Sequence, residues 1–365
     1  MARRKKFKPT NGFTLFIAII IIAIALFYYF HQEKQKAIQY SALNDVFTSQ
    51  AIAVDKDVMK IHFIDVGQGD CIFIEFPDGK NMLIDAGNNG KEDEIIDYLN
   101  DLKVKNITLV LATHADADHT GGMKEVFEEF NVGFCLRPFV YYNGEEKSKF
   151  EDSFNVPSKA EKSESCKTDT YRDFLLAILN EECGYEYFNK DSDFSQAFTY
   201  EGVASSYSID FLTPTASIPY VGYSDPNDYS PIFILSYGEF DIMFTGDAEK
   251  EAEAELLLSY PNLPDVDVLK VGHHGSETST TMELLKKIKP EYSVIMSGVP
   301  NSYGHPIQAV LDRLVEVNST ICRTDLQGNI VIEVKSSGDY EVKPQRRNVS
   351  YDELTEGVKK KDEIE

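Results

Sequence analysis

Hydrophobic and polar positions divide the chain into three regimes. Phe13 to Phe30 is an eighteen-residue run without a charge, FTLFIAIIIIAIALFYYF. That length is at the lower end of what spans a bilayer as a helix, and Tyr28 and Tyr29 stand where interfacial aromatics belong. Residues 31–57 are polar and weakly helical, the pattern of a stalk. From residue 58 short apolar runs take over. Ile61 and Phe63, then Ile72, Ile74 and Phe76, alternate as strands do, and Pro77-Asp78-Gly79 supplies a turn between two of them. Ile95, Ile96, Leu99 and Leu102 recur at helical spacing, as do Met123, Val126, Phe127 and Phe130. Between these two helices Ile107 to Leu111 reads as a buried strand. Later strands are predicted at Tyr207–Leu212, Ile232–Tyr237 and Phe240–Phe244, a helix over Glu249–Leu258, and a further strand in VDVLKVG.

The second half repeats the grammar of the first. LIDAG ends a strand at Asp85 and MFTGD ends one at Asp247; each is followed by a helix, a strand and a histidine, after 29 residues at His114 and after 26 at His273. The pattern predicts an α/β fold of two sheets packed face to face with helices outside, their strand ends meeting at one edge. The body is expected to run from 58 to 343, with a polar, charged insertion or lid at 141–200 and a charged flexible tail at 344–365.

Charge sharpens this picture. The net charge is −24, yet the first 36 residues carry seven Lys/Arg and one Glu, or +6, leaving −30 on the rest. The basic residues 1–12 precede the apolar run, so residues 13–30 read as a signal anchor that holds the N-terminus in the cytoplasm and sends the body outside the cell. An acidic body lacks the basic footprint that draws nucleic acid unaided. Five cysteines, none in CxxC spacing, exclude a zinc ribbon. In an oxidising compartment Cys166 and Cys183 could pair across the insertion.

The candidate chemistry gathers in ITLVLATHADADHTGG, where His114, Asp116, Asp118 and His119 follow a buried strand on a tight loop. Two imidazoles and two carboxylates with only alanines between them call for a cation. Asp65 and Asp70, in DVGQGD, read first as turn formers.

With these residues in place the chain resembles the metallo-β-lactamase superfamily, and within it the ComEC-type hydrolase domain of bacterial competence. DVGQGD, IDAG, HxDxDHxGG, TGD, LKVGHHGS and NxYGHP occur in that order over roughly residues 59 to 335. The resemblance implies an αββα sandwich and two divalent ions. His114 and Asp116 would hold the first ion; Asp118, His119 and His273 the second; Asp247 would bridge. Asp116 stands where the superfamily usually has histidine, and no histidine lies between His119 and His273. The first site is therefore poor in nitrogen, and manganese becomes as plausible an ion as zinc. Asp85 is expected to orient a ligand, His305 or Asp118 to handle the leaving-group proton, and Lys270, His274, Ser276 and Asn301 to touch substrate.

The function implied is a membrane-anchored hydrolase that uses water activated between two metals, acting on phosphodiester bonds, with single-stranded DNA a candidate partner in DNA uptake. A hydrolase for a small ester, lactone or choline-phosphate is the alternative that the acidic surface favours. A binding or scaffold protein with a degenerate metal site is the third reading.

Overall fold

The computed structural model describes residues 57–145, 150, 165–181, 183–188, 200–201, 206–215 and 223–360. The apolar run at 13–30 lies outside them. Among the described residues no helix is long and apolar enough to cross a membrane.

The strands are β1 (Val58–Phe63), β2 (Ile72–Glu75), β3 (Asn81–Ile84), β4 (Asn106–Leu111), β5 (Asn131–Arg137), β6 (Tyr141–Tyr142), β7 (Ser165–Cys166), β8 (Gly184–Tyr187), β9 (Tyr200–Glu201), β10 (Ser206–Phe211), β11 (Phe233–Tyr237), β12 (Phe240–Phe244), β13 (Val268–Lys270), β14 (Tyr292–Ile295), β15 (Thr320–Arg323), β16 (Ile330–Lys335) and β17 (Tyr340–Pro344). The helices are α1 (Glu92–Asp101), α2 (Ala117–Thr120), α3 (Met123–Glu129), α4 (Asp169–Glu181), α5 (Lys250–Ser259), α6 (Met282–Ile288), α7 (Gln308–Glu316), α8 (Thr324–Gln327) and α9 (Tyr351–Thr355). One sheet has the order β17-β16-β1-β2-β3-β4-β5-β8, the other β15-β14-β13-β12-β11-β10-β9.

Strand parity explains the layering. In β2, Phe73 points outward into the core under α1, α3 and α4, whereas buried Ile72 and Ile74 face the other way. In the second sheet Ile234, Met243 and Leu269 face α5, α6 and α7. The inner faces meet through contacts such as Phe76 stacked on Tyr207, ring centroids 4.6 Å apart. The two-sheet sandwich with outer helices is thus the expected one.

Each sheet mixes antiparallel and parallel pairs. β3, β4, β5 and β8 run parallel, as do β12, β13, β14 and β15. Parallel strands leave their carboxyl ends on one edge, where loops gather functional side chains. The segments after β3, β4, β12, β13 and β14 all emerge there.

Three expectations change. The stretch 141–200 is in part built into the body: Tyr171, Phe174, Leu175 and Ile178 of α4 are buried in the outer core, and β8 extends the first sheet beside β5. Cys166 and Cys183 are not bridged. Cys166 approaches the Ala115 carbonyl at 4.0 Å, Cys183 packs by Cys135, and the five cysteines are free. The tail beyond 344 is docked as far as residue 360. Buried Arg323 donates to the carbonyls of Glu353, Leu354 and Glu356, while Val358 N donates to the Pro306 carbonyl at 3.0 Å. Polar capture of backbone needs no hydrophobic periodicity, which is why the segment reads as a tail from sequence.

Candidate metal centre

β3 and β4 deliver the first half of the site. Asp85 takes a left-handed backbone (φ 58°) immediately after β3 and is fully buried. Its carboxylate accepts from Thr113 N at 2.8 Å, from Thr113 Oγ1 at 2.7 Å and from His119 Nδ1 at 2.7 Å. With Nδ1 donating, His119 turns Nε2 toward the cluster. The Thr113 hydroxyl, already donating to Asp85, accepts from His114 Nδ1 at 3.1 Å. His114 Nε2 therefore also faces inward, 3.9 Å from Asp247 Oδ2 and 4.0 Å from Asp116 Oδ2.

The second half comes from the ends of β12 and β13. Asp247 is buried, its amide held by Ser230 Oγ at 3.1 Å. Its Oδ2 lies 3.4 Å from His274 Nε2 and 3.6 Å from His273 Nε2, and its Oδ1 lies 3.3 Å from His119 Nε2. His274 Nε2 is also 3.4 Å from Asp118 Oδ2 and 3.3 Å from His119 Nε2. On its far side His274 Nδ1 donates to the Met296 carbonyl at 2.9 Å and stands 3.3 Å from Asp70 Oδ1.

The choice between the adjacent histidines comes out differently from the expectation. The structure gathers His274 with Asp70, His119 and Asp247, 3.4 Å from Asp118; His273 comes within 3.6 Å of Asp247 with Nε2, but turns Nδ1 to Glu249 at 3.1 Å and keeps part of its ring in solvent. Both residues have positive φ, 47° and 53°, so strand alternation stops before them and does not decide which one points inward. His274 is thereby too buried for the substrate contact assigned to it.

Other expected substrate groups are engaged elsewhere. Lys270 is 1% exposed, its Nζ paired with Asp70 at 2.7 Å and donating to the Val271 carbonyl at 2.8 Å, so it lies behind the site. Asn301 turns all its polar atoms to its own loop: Nδ2 donates to the Gly298 and His305 carbonyls, and Oδ1 accepts from the amides of Tyr303, Gly304 and His305. The Ser276 hydroxyl pairs with that of Thr278 at 2.9 Å. His305 does stand at the mouth, its ring centroid 5.5 Å from that of His273, and its Nδ1 has no hydrogen-bond partner among the described residues.

Asp70 is the residue that sequence reasoning passes over. Asp65 is indeed a turn former, accepting from Gly67 N at 3.2 Å. Asp70 instead closes the inner end of the same loop. Gly69 before it has φ 141°, and a Cβ there would sit 2.4 Å from the Asp118 carbonyl oxygen. Only glycine lets the two loops approach this closely. That glycine beside the acid is the signal available in the sequence.

The electrostatics follow from burial among carboxylates. Burial lowers the pKa of His274, but Asp247, Asp70 and Asp118 outweigh it and raise it to about 10; the same contest, with Asp247 and Asp85, holds His119 well above its ordinary value. Burial dominates at His114 and, with His119 beside it, takes it down to about 4. Burial and the neighbouring His273 and His274 do likewise to His305, also about 4. Asp247, buried but ringed by imidazoles, stays ionised far below the usual carboxylate range.

The donor set fits divalent cations. His119 and His274 bring their Nε2 atoms to 3.3 Å while each Nδ1 donates elsewhere, so both Nε2 atoms converge on one point that calls for positive charge, which protons supply to the free imidazoles and a divalent cation would supply in their place. Asp247 Oδ1 has no hydrogen-bonding partner among the described residues, although His119 is near. Separations of 3.3–3.4 Å among these atoms match the roughly 3.4 Å between neighbouring ligands on ~2.1 Å arms.

Known proteins resemble parts of this chain. Residues 64–193 match the model of the metallo-beta-lactamase superfamily. The chain is 28% identical over 303 residues to "ComE operon protein 3" of Bacillus subtilis, covering 78% of this chain and 34% of that protein. It is 26% identical over 298 residues to "Competence protein ComA" of Neisseria gonorrhoeae, covering 81% and 35% respectively. The chain thus spans about a third of the length of these relatives. Among solved structures, a diphosphatase from the PhnP family aligns with TM-score 0.38 at 12% identity, over 76% of this chain and 99% of that one. Residues 64–193 of this chain thus match the metallo-beta-lactamase superfamily, and its body is similar to a part of both competence proteins.

Proposed function

We propose that the chain is a metal-dependent phosphodiester hydrolase, anchored in a membrane through residues 13–30, with two divalent cations, zinc or manganese. His114, Asp116 and Asp247 would hold one cation, and Asp118, His119, His274 and Asp247 the other. Bound there, the cations would supply Lewis-acid charge for a phosphoryl oxygen and lower the pKa of water. The observation that carries the reading is the pair of inward Nε2 atoms, 3.3 Å apart with both Nδ1 atoms tied elsewhere.

The protein's own residues do the rest. Asp85 holds His119 in one tautomer and the Met296 carbonyl does the same for His274, so neither ring need reorient when a cation enters. Burial of Asp247, His114 and His274 strengthens their pull on positive charge. His305 at the mouth is held neutral, which suits it to accept a proton or hydrogen bond. A phosphodiester bound beside it adds the negative charge that favours its imidazolium form, and with that the ability to protonate a leaving oxygen. The motif order shared with the ComEC type supports a phosphodiester over other bonds. The net charge of −24 supports the small-ester alternative instead.

The test is metal content by elemental analysis together with hydrolysis of bis-p-nitrophenyl phosphate, with manganese or zinc added. Asp247→Ala should lose both cations and turnover, and His274→Ala should lose one cation. His273→Ala should keep both. Two cations and near-normal turnover in Asp247→Ala would refute the assignment and reopen the scaffold reading.

A further inference from the structure

The NSYGHP loop contains an aromatic residue that the chemistry above does not use. Tyr303 is 59% exposed, although it lies next to the candidate site. Its ring stacks on His305 with centroids 5.5 Å apart and planes 24° from parallel. From there a file of rings leads inward: His305 to His273 at 5.5 Å, His273 to His274 at 6.1 Å, and His274 to His119 at 5.2 Å. The tyrosine is the solvent end of a row that finishes among the proposed metal ligands.

Its position is set in advance. Asn301 Oδ1 accepts from the amides of Tyr303, Gly304 and His305, and its Nδ2 donates to the carbonyls of Gly298 and His305. One side chain thus organises the whole loop. The docked C-terminal segment adds a second support, since Val358 N donates to the Pro306 carbonyl at 3.0 Å. Lys360, itself exposed, runs its stem against Gly304, where a Cβ would meet Lys360 Cγ at 3.0 Å. An exposed ring on a fixed loop, with a cation-bearing stem alongside, has the elements of a stacking platform for a base on a phosphate backbone.

We propose that Tyr303 stacks on the nucleobase adjoining the scissile phosphodiester and so gives the site a preference for nucleoside-bearing substrates. The inference rests on the phosphodiester reading above and deepens it. An exposed tyrosine loses little rotamer freedom on stacking, because only two torsions are fixed. A stacked base need not be of one kind, so the preference is for any nucleoside over none. Tyr303 here is a specificity residue, with no part in proton transfer.

The experiment compares two substrates that share a leaving group: thymidine 5′-(p-nitrophenyl phosphate), which carries a base, and methyl p-nitrophenyl phosphate, which does not. The full chain is assayed with added manganese. Tyr303→Ala should lower kcat/KM for the thymidine ester about ten-fold and leave that for the methyl ester nearly unchanged. Tyr303→Phe should restore the preference, since it keeps the ring and removes only the hydroxyl. Metal content and thermal midpoint of Tyr303→Ala should match the parent, as the side chain is mostly in solvent. Equal loss on both substrates, or loss on neither, overturns the platform while leaving the hydrolase reading in place. A parent chain that binds metal but cleaves neither ester overturns the phosphodiester reading and the platform with it.

Discussion

Lys270→Met tests whether this lysine belongs to the framework of the site or to substrate recognition. Its Nζ is 2.7 Å from Asp70 Oδ2, 2.8 Å from the Val271 carbonyl and 3.4 Å from the Gly246 carbonyl, and the side chain is 1% exposed. Asp70 is equally buried, and its Oδ1 has no hydrogen-bond partner among the described residues. Removing the ammonium therefore leaves an anion in the core with His274 as its nearest source of positive charge. Breaking one partner of a buried pair costs about 3–5 kcal/mol, most of it the uncompensated charge. At about 2 °C per kcal/mol for a domain of this size, the thermal midpoint should fall by about 6–10 °C. The assay is calorimetry in chelator, so that bound metal does not add its own stabilisation. Lys270→Met with Asp70→Asn removes both charges and should recover more than half of the loss. A single variant that melts within about 2 °C of the parent, with its defect confined to KM, would refute this argument and return Lys270 to the substrate.

Two further outcomes follow from groups around the site. Burial raises Glu253 to about 7, against the opposing hydrogen bonds from Thr281 and Thr280; the folded state therefore binds its proton more tightly than the unfolded one, and this contribution, about 3 kcal/mol, is full below the unfolded pKa and lost as pH rises through 7. Glu253→Gln in chelator should flatten the fall in urea midpoint between about pH 4.5 and 7, and an unchanged slope would show that Glu253 does not carry it. A chain ending at Pro344 loses the carbonyls held by Arg323 and the support of Pro306; it should keep its metal content but lose about ten-fold or more in turnover as His305 loosens, with peptide 346–360 restoring activity in trans. Undiminished turnover in the truncated chain would show that the docked segment is irrelevant to the loop.

Much of this architecture is legible because it rests on local pattern. Alternation marks β1 and β2, helical spacing marks α1 and α3, and the repeated order of strand, acid, helix, strand and histidine announces two layers meeting at one edge. The contact between Asp85 and His119 is accessible for a related reason: β3 and β4 are parallel neighbours, so the residues that follow them must emerge side by side. Asp70 and Lys270 have no such clue. Their partnership joins a loop before β2 in one sheet to the end of β13 in the other, and spacing along a chain carries no information on which charges two packed sheets will oppose.

The paired histidines fail for a different reason. Reading His273 as the ligand takes the first histidine after the strand for the one that faces the site, and that holds only while the backbone stays extended. Val271 is still extended, at φ −63° and ψ 133°, but His273 and His274 are both left-handed. A residue type that rarely adopts positive φ, used twice in succession, costs backbone energy that a surface turn has no reason to bear. Here the strain has a counterpart. The turn swings His274 under the site between Asp118 and Asp247, and leaves His273 at the rim against Glu249 and His305. Two adjacent imidazoles thereby face two environments, one enclosed by carboxylates and one open to solvent. An extended strand places neighbouring side chains on opposite faces of a sheet, so it could not present both to the same cleft. The left-handed pair does so, which is the physical argument for two histidines in this motif where one ligand would need only one.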